Sequence, residues 1–158
     1  MELVKIKRKC KPGETDINGI SYDIESYRKE VDNLIHNYID SDYYLGAELF
    51  FCEGDDYLSI LKRSGFNLIN PLNCCGKIVE ISDDYILVNP LNEKTHRLLT
   101  KYESEALMRY IGNINEMSSC ARILKIITFD IVIKADTSVK CLADFLYAHE
   151  MTEETSNE

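Results

Sequence analysis

Two cysteines stand side by side in NPLNCCGKIVEIS, Asn70 to Ser82, followed by a glycine and an alternating apolar run. A thiol is the most nucleophilic group this chain offers, provided its pKa is depressed and an oriented base lies beside it. Cys74 or Cys75 could sit at an exposed turn next to Gly76. His96 lies beyond the next hairpin, and Asp130 could orient that imidazole. Nothing in the local spacing selects this trio. The plainer expectation is a loop punctuated by Pro71 and Gly76, entering a strand at Lys77, with one thiol in the core and the other at the surface.

Metal chemistry has little support. Structural zinc sites use paired ligands at C-x₂₋₄-C and H-x₃₋₅-H spacing. The six cysteines, at 10, 52, 74, 75, 120 and 141, form no C-x-x-C, and His36, His96 and His149 stand far apart. The seven glycines are scattered, so no G-x-G-x-x-G or P-loop exists to cradle phosphates. No metal and no cofactor are therefore expected.

A third pattern recurs: carboxylates beside tyrosines. Asp42-Tyr43, Asp55-Asp56-Tyr57 and Asp83-Asp84-Tyr85 each fall at an expected turn or helix cap, where Asp is common anyway. Their functional reading is a contact surface. Tyr supplies area and a hydrogen bond at low entropic cost, and Asp complements a basic partner. The basic run KIKRKCK, Lys5 to Lys11, has no interleaved aromatics for base stacking. Protection of an edge strand explains it as well, so direct nucleic-acid binding is not expected.

The elements that would position these residues are read from periodicity. Leu3 to Lys9 predicts a short edge strand, and Ile20 and Tyr22 a second. DIESYRKEVDNLIHNYI predicts a helix capped by Asp23, with Ile24, Tyr27, Val31, Leu34, Ile35, Tyr38 and Ile39 on its buried face. Tyr43 to Cys52 reads as a buried strand, and DYLSILKRS as a short helix capped by Asp55. GKIVEISDDYILVNP reads as a hairpin turning at Ser82-Asp83-Asp84. From Glu93 to Ile111 the stripe Leu98, Leu99, Tyr102, Ala106, Leu107, Tyr110, Ile111 predicts a second long helix, with Gly112 as its stop, although ALMRYIG, Ala106 to Gly112, also alternates as a strand would. Ala121 to Ala135 is the strongest strand, apolar on both faces. A last helix is capped by Asp136 or Ser138. The predicted fold class is α+β: a single domain over residues 1–149, with a sheet of about five strands and three to four helices packed on it. Residues 150–158 form an acidic tail.

Composition narrows the function. Of 158 residues, 45% are hydrophobic and 28% charged, which suits a globular domain. The formal net charge of -9 disfavours a phosphate-backbone binder and favours a basic partner. No apolar run approaches the ~18–20 residues of a membrane span, and MELVKIKRKCK leads into no apolar signal region. The expectation is a cytoplasmic protein, or one acting in the cytoplasm of an infected host. It points to a small acidic interaction protein that inhibits or modulates a protein partner, such as a basic nucleic-acid-processing enzyme. The sharpest version is a phage or mobile-element inhibitor of a host defence nuclease, in the manner of inhibitors of CRISPR nucleases. The alternatives are a nucleic-acid mimic, a sponge for a small nucleotide signal, and an enzyme using Cys74 or Cys75 with His96.

Overall fold

The computed structural model describes residues 2–16, 19–52, 57–58, 67–115, 117–118, 120–134 and 139–146. The α+β expectation is overturned. Among the described residues the chain is mostly β: a closed barrel of six strands with one further strand, and about two short helices.

The strands are β1 (Val4–Arg8), β2 (Ser21–Tyr22), β3 (Gly46–Phe50), β4 (Cys74–Ile81), β5 (Tyr85–Pro90), β6 (Ser104–Asn115) and β7 (Cys120–Ile133). Around the barrel they run β7-β3-β4-β5-β1-β6, and β6 closes on β7. β2 adds to the outside of β7, in parallel. Two pairings in the ring are parallel, β1 with β6 and β3 with β7, and the others are antiparallel. β1 is thus no edge strand: it has a neighbour on each side.

The difference from expectation begins at Tyr102. Helix α2 (Glu93–Lys101) opens with a reciprocal cap, in which Asn92 accepts from Thr95 N at 3.0 Å and Thr95 Oγ1 accepts from Asn92 N at 3.1 Å. It stops at Tyr102, whose backbone is extended. Ser104 to Asn115 then form a strand paired with β7 along its whole length. Ala106, Met108 and Tyr110 turn toward the barrel core, while Leu107 turns outward to a second small cluster with Phe50, Tyr57 and Val132. A strand covered on both faces shows apolar residues at both parities, and here they coincide with a helical stripe.

Closure needs curvature, and β-bulges supply it. Between Arg109 and Tyr110 the register on β7 passes from Thr128 to Ile126, which leaves Ile127 unpaired. Between Ile111 and Gly112 it passes from Lys125 to Ile123, which leaves Leu124 unpaired. Each bulge shifts the parity of β7, so Ile123, Ile126, Phe129, Ile131 and Ile133 all reach the core. Strict alternation over this strand would have sent Ile126 outward.

Helix α1 (Ile24–Leu34) covers the barrel with Tyr27, Val31 and Leu34. Asp23 caps it, accepting from Ser26 N at 2.8 Å. Ile24, expected inside, is 40% exposed. The helix continues as a π-helical turn, Ile35–Ile39, whose Tyr38 and Ile39 pack half-buried against the core. The predicted helix after Asp55 lies outside the described residues except Tyr57 and Leu58. A helical turn occupies 142–146, and the acidic tail is outside the described residues.

Candidate functional site

The twin cysteines belong to β4 rather than to a loop before it. Both are buried, Cys75 fully, so the expectation of one surface thiol fails. Cys74 Sγ donates to the Asn70 carbonyl at 3.5 Å and Cys75 Sγ to the Ala47 carbonyl at 3.4 Å. Burial, with Glu48 adding to it, pushes the Cys74 thiol up to about 12, and burial raises Cys75 as well. Both stay protonated at neutral pH, the opposite of an activated nucleophile. Gly76 has a packing role: a Cβ there would strike the Asn89 carbonyl and the Val88 side chain of β5. Asp130, proposed to orient an imidazole, accepts instead from Tyr57 and Arg109.

The acid–tyrosine turns do not form one surface. Asp83 grips Arg28 of α1 with both oxygens, at 2.5 and 2.7 Å, and that hydrogen-bonded cation holds its carboxyl below the ordinary range. Asp84 pairs with Lys11 at 3.2 Å. The Tyr85 ring lies under Lys5 Nζ at 4.2 Å, and its hydroxyl donates to Glu80 at 3.4 Å. The hairpin tip therefore answers its own charges. Tyr57 is buried, with its hydroxyl donating to Asp130 at 2.6 Å. Asp55 and Asp56 lie outside the described residues. Asp42 and Tyr43 are exposed and their side chains take no partner among the described residues, in the connection between the π-helical turn and β3, where Tyr43 is 72% exposed.

Sequence reasoning missed two buried arginines. Arg109 points outward from β6 into a closed polar network. Its Nε and Nη2 hold both oxygens of Asp130, at 2.8 and 2.5 Å, while Nη2 also reaches Glu48 at 2.8 Å and Nη1 the Leu68 carbonyl at 2.8 Å. Glu48 accepts further from Asn70 N at 3.1 Å and Asn73 Nδ2 at 3.2 Å. Burial works against the Arg109 charge, and its hydrogen bonds to the Asp130 and Glu48 carboxylates more than restore it, so its pKa is raised. This network is saturated in counter-charge, and it ties the 68–73 segment and Tyr57 to the barrel wall.

Arg8 is the second. The basic run is expected to protect an edge strand, and Lys5 and Lys7 are exposed, but Arg8 shares the parity of Ile6 and points inward. That parity was the available signal.

The surface holds one cluster of exposed apolar side chains around a concavity. Tyr44, Gly46, Ile69, Pro71, Cys74 and Leu91 line a cleft of about 360 Å³. Tyr44 is 52% and Leu91 57% exposed, and Tyr43, Leu68 and Leu72, chain neighbours of lining residues, are as open or more so. No helix among the described residues is long and apolar enough to cross a membrane. Comparison with protein-family models, with curated proteins and with solved structures finds no match.

Proposed function

We propose that this protein is an interaction module that binds a protein partner at the Tyr44–Leu91 cleft and so inhibits or modulates it. The carrying observation is the exposed apolar rim around a concave floor. Clustered apolar exposure has a solvation cost that binding removes, and such clusters mark interaction sites. The partner we commit to is a basic protein offering an apolar side chain to the cleft. Asp40 and Asp42, exposed beside Tyr43, form no ion pair among the described residues, and the whole chain carries -9. Opposite charge at the rim would steer such a partner. A nucleic-acid-processing enzyme, such as a host defence nuclease, has the required charge. A nucleic-acid mimic is less well supported, because Asp83 and Asp84 are already paired with Arg28 and Lys11.

The test is stoichiometric co-purification from native host lysate with wild type, Leu91→Asp, Leu72→Asp and Asp83→Ala. A basic partner held by wild type and Asp83→Ala but lost by both cleft variants supports the reading. Equal recovery by the cleft variants overturns it. So does a concentration-dependent dimer that Leu91→Asp abolishes, since the cleft would then belong to a second copy.

A further inference from the structure

A cavity of about 220 Å³ opens where the β6–β7 hairpin runs past the end of β1. β1 pairs with β6 only through Lys7–Glu105 and Arg8–Ala106. Beyond that point the connection from β1 to β2 takes the place of a strand. Cys10, Asp16 and Ile20 line the cavity from that connection, and Met108, Tyr110 and Ile114 line it from β6. Arg8 and Tyr22 also line it.

Arg8 is 2% exposed, yet no carboxylate among the described residues lies within ion-pairing distance of it. Its acceptors are neutral. Nη1 donates to the Tyr27 hydroxyl at 2.5 Å and to the Ser82 carbonyl at 3.1 Å, and Nη2 reaches the Tyr22 hydroxyl at a long 3.4 Å. The guanidinium lies 4.9 Å from the Phe129 ring centre, a weak substitute for an anion. Five N–H donors are available and three bonds are made, with Nε making none. Every sealed side-chain nitrogen and oxygen among the described residues has a partner. The unpaired Nε is therefore not sealed, and Arg8 lines the cavity.

We propose that this cavity binds a small organic monocarboxylate, its carboxylate on the Nε–Nη2 edge of Arg8 and its apolar body between Tyr22, Met108, Tyr110 and Ile114. The side edge of a guanidinium matches a carboxylate with two parallel hydrogen bonds. Tyr22 is pushed up to about 12 by burial, Arg8 opposing, so its hydroxyl keeps a proton to donate. Arg109 also lines the cavity, but its charge is met by Asp130 and Glu48, so Arg8 is the lining cation left to balance one negative charge. A phosphate dianion would leave an excess charge facing Asp16, which already accepts from Tyr110 Oη at 2.9 Å and Ile20 N at 3.0 Å. The volume lies below the roughly 300–1,000 Å³ of drug-sized sites, so the body is small. The site is separate from the Tyr44–Leu91 cleft, and neither proposal depends on the other.

The probes are benzoate, hexanoate and phenyl phosphate, titrated into the full chain by calorimetry, with protection of Cys10 from alkylation as a second readout. Saturable binding of benzoate or hexanoate to wild type, tighter than phenyl phosphate, is expected. Arg8→Met should weaken it at least about tenfold, the scale of one lost charge-assisted contact. Ile114 is 52% exposed, so Ile114→Trp fills the mouth without touching the core and should weaken binding as much. It decides the matter if Arg8→Met fails to fold. Absence of saturable binding to wild type at millimolar carboxylate overturns the proposal. So does binding that Ile114→Trp leaves unchanged, or a preference for phenyl phosphate.

Discussion

The two buried arginines of this barrel live in opposite electrostatic worlds. Arg109, on the outside of the wall, meets two carboxylates and a carbonyl. Arg8, at the barrel's end, meets two phenols, a carbonyl and an aromatic face. Both are equally hidden, so burial alone does not separate structure from function. Valence does. A charge saturated with counter-charges fixes the fold; one that meets only neutral acceptors beside a cavity is available to a ligand.

The largest effect should come from breaking the saturated side. Arg109→Met strands Glu48 and Asp130 as buried carboxylates, which costs about 3–5 kcal/mol. Chemical denaturation should show a large loss of stability, or failure to fold at all. Arg8→Met removes a cation that has no counterion, leaving only neutral acceptors behind. Its cost should be smaller, about 1–3 kcal/mol. If the two variants are equally destabilised, the contrast drawn between the arginines is wrong.

A pH titration sharpens the same comparison. Burial raises the Asp130 carboxyl above 3.8 despite the opposing pull of Arg109 and Tyr57. The folded state thus holds that proton more tightly than the unfolded chain. This group's contribution to stability falls as pH rises from the ordinary carboxylate value through the raised one. Asp83 has the reverse sign: its folded value is lowered, so its contribution is present above 3.8 and fades as pH falls through the folded value. Unfolding midpoints followed across the carboxylate range should lose the first trend in Asp130→Asn and the second in Asp83→Ala. The smallest effect belongs to the exposed Arg28–Asp83 pair, where Asp83→Ala should barely move the midpoint at neutral pH.

Local chemistry was the legible part of this sequence. The Asp23 cap, the 76–90 hairpin and the long apolar strand to Ile133 follow from periodicity and turn residues. Leu107 was visible as apolar, but its partners Phe50 and Val132 lie far off in the chain, so the second covered face of β6 was not. Closure depends on bulges at Leu124 and Ile127 and on two parallel pairings between distant strands, none of which leaves a local pattern. The Arg109 network draws on residues 48, 57, 109 and 130, each ordinary in its own window. The acid–tyrosine turns misled because turn chemistry writes the same residues whether their charges face a partner or, as at Asp83, a neighbouring helix.

The parallel join of β1 to β6 sets a schedule for the nascent chain. The partner of Lys7 on that side is Glu105, about a hundred residues later. At roughly 5–20 residues per second of synthesis, β1 waits roughly 4–16 s for Tyr85 of β5, then roughly 1–4 s more with one flank unpaired. During that interval it is an edge strand, exposed to wrong pairing while the barrel is still incomplete. Lys5 and Lys7 then act as gatekeepers on its outer face. The charges that look like edge protection in the sequence guard an edge that exists only until the ring is shut.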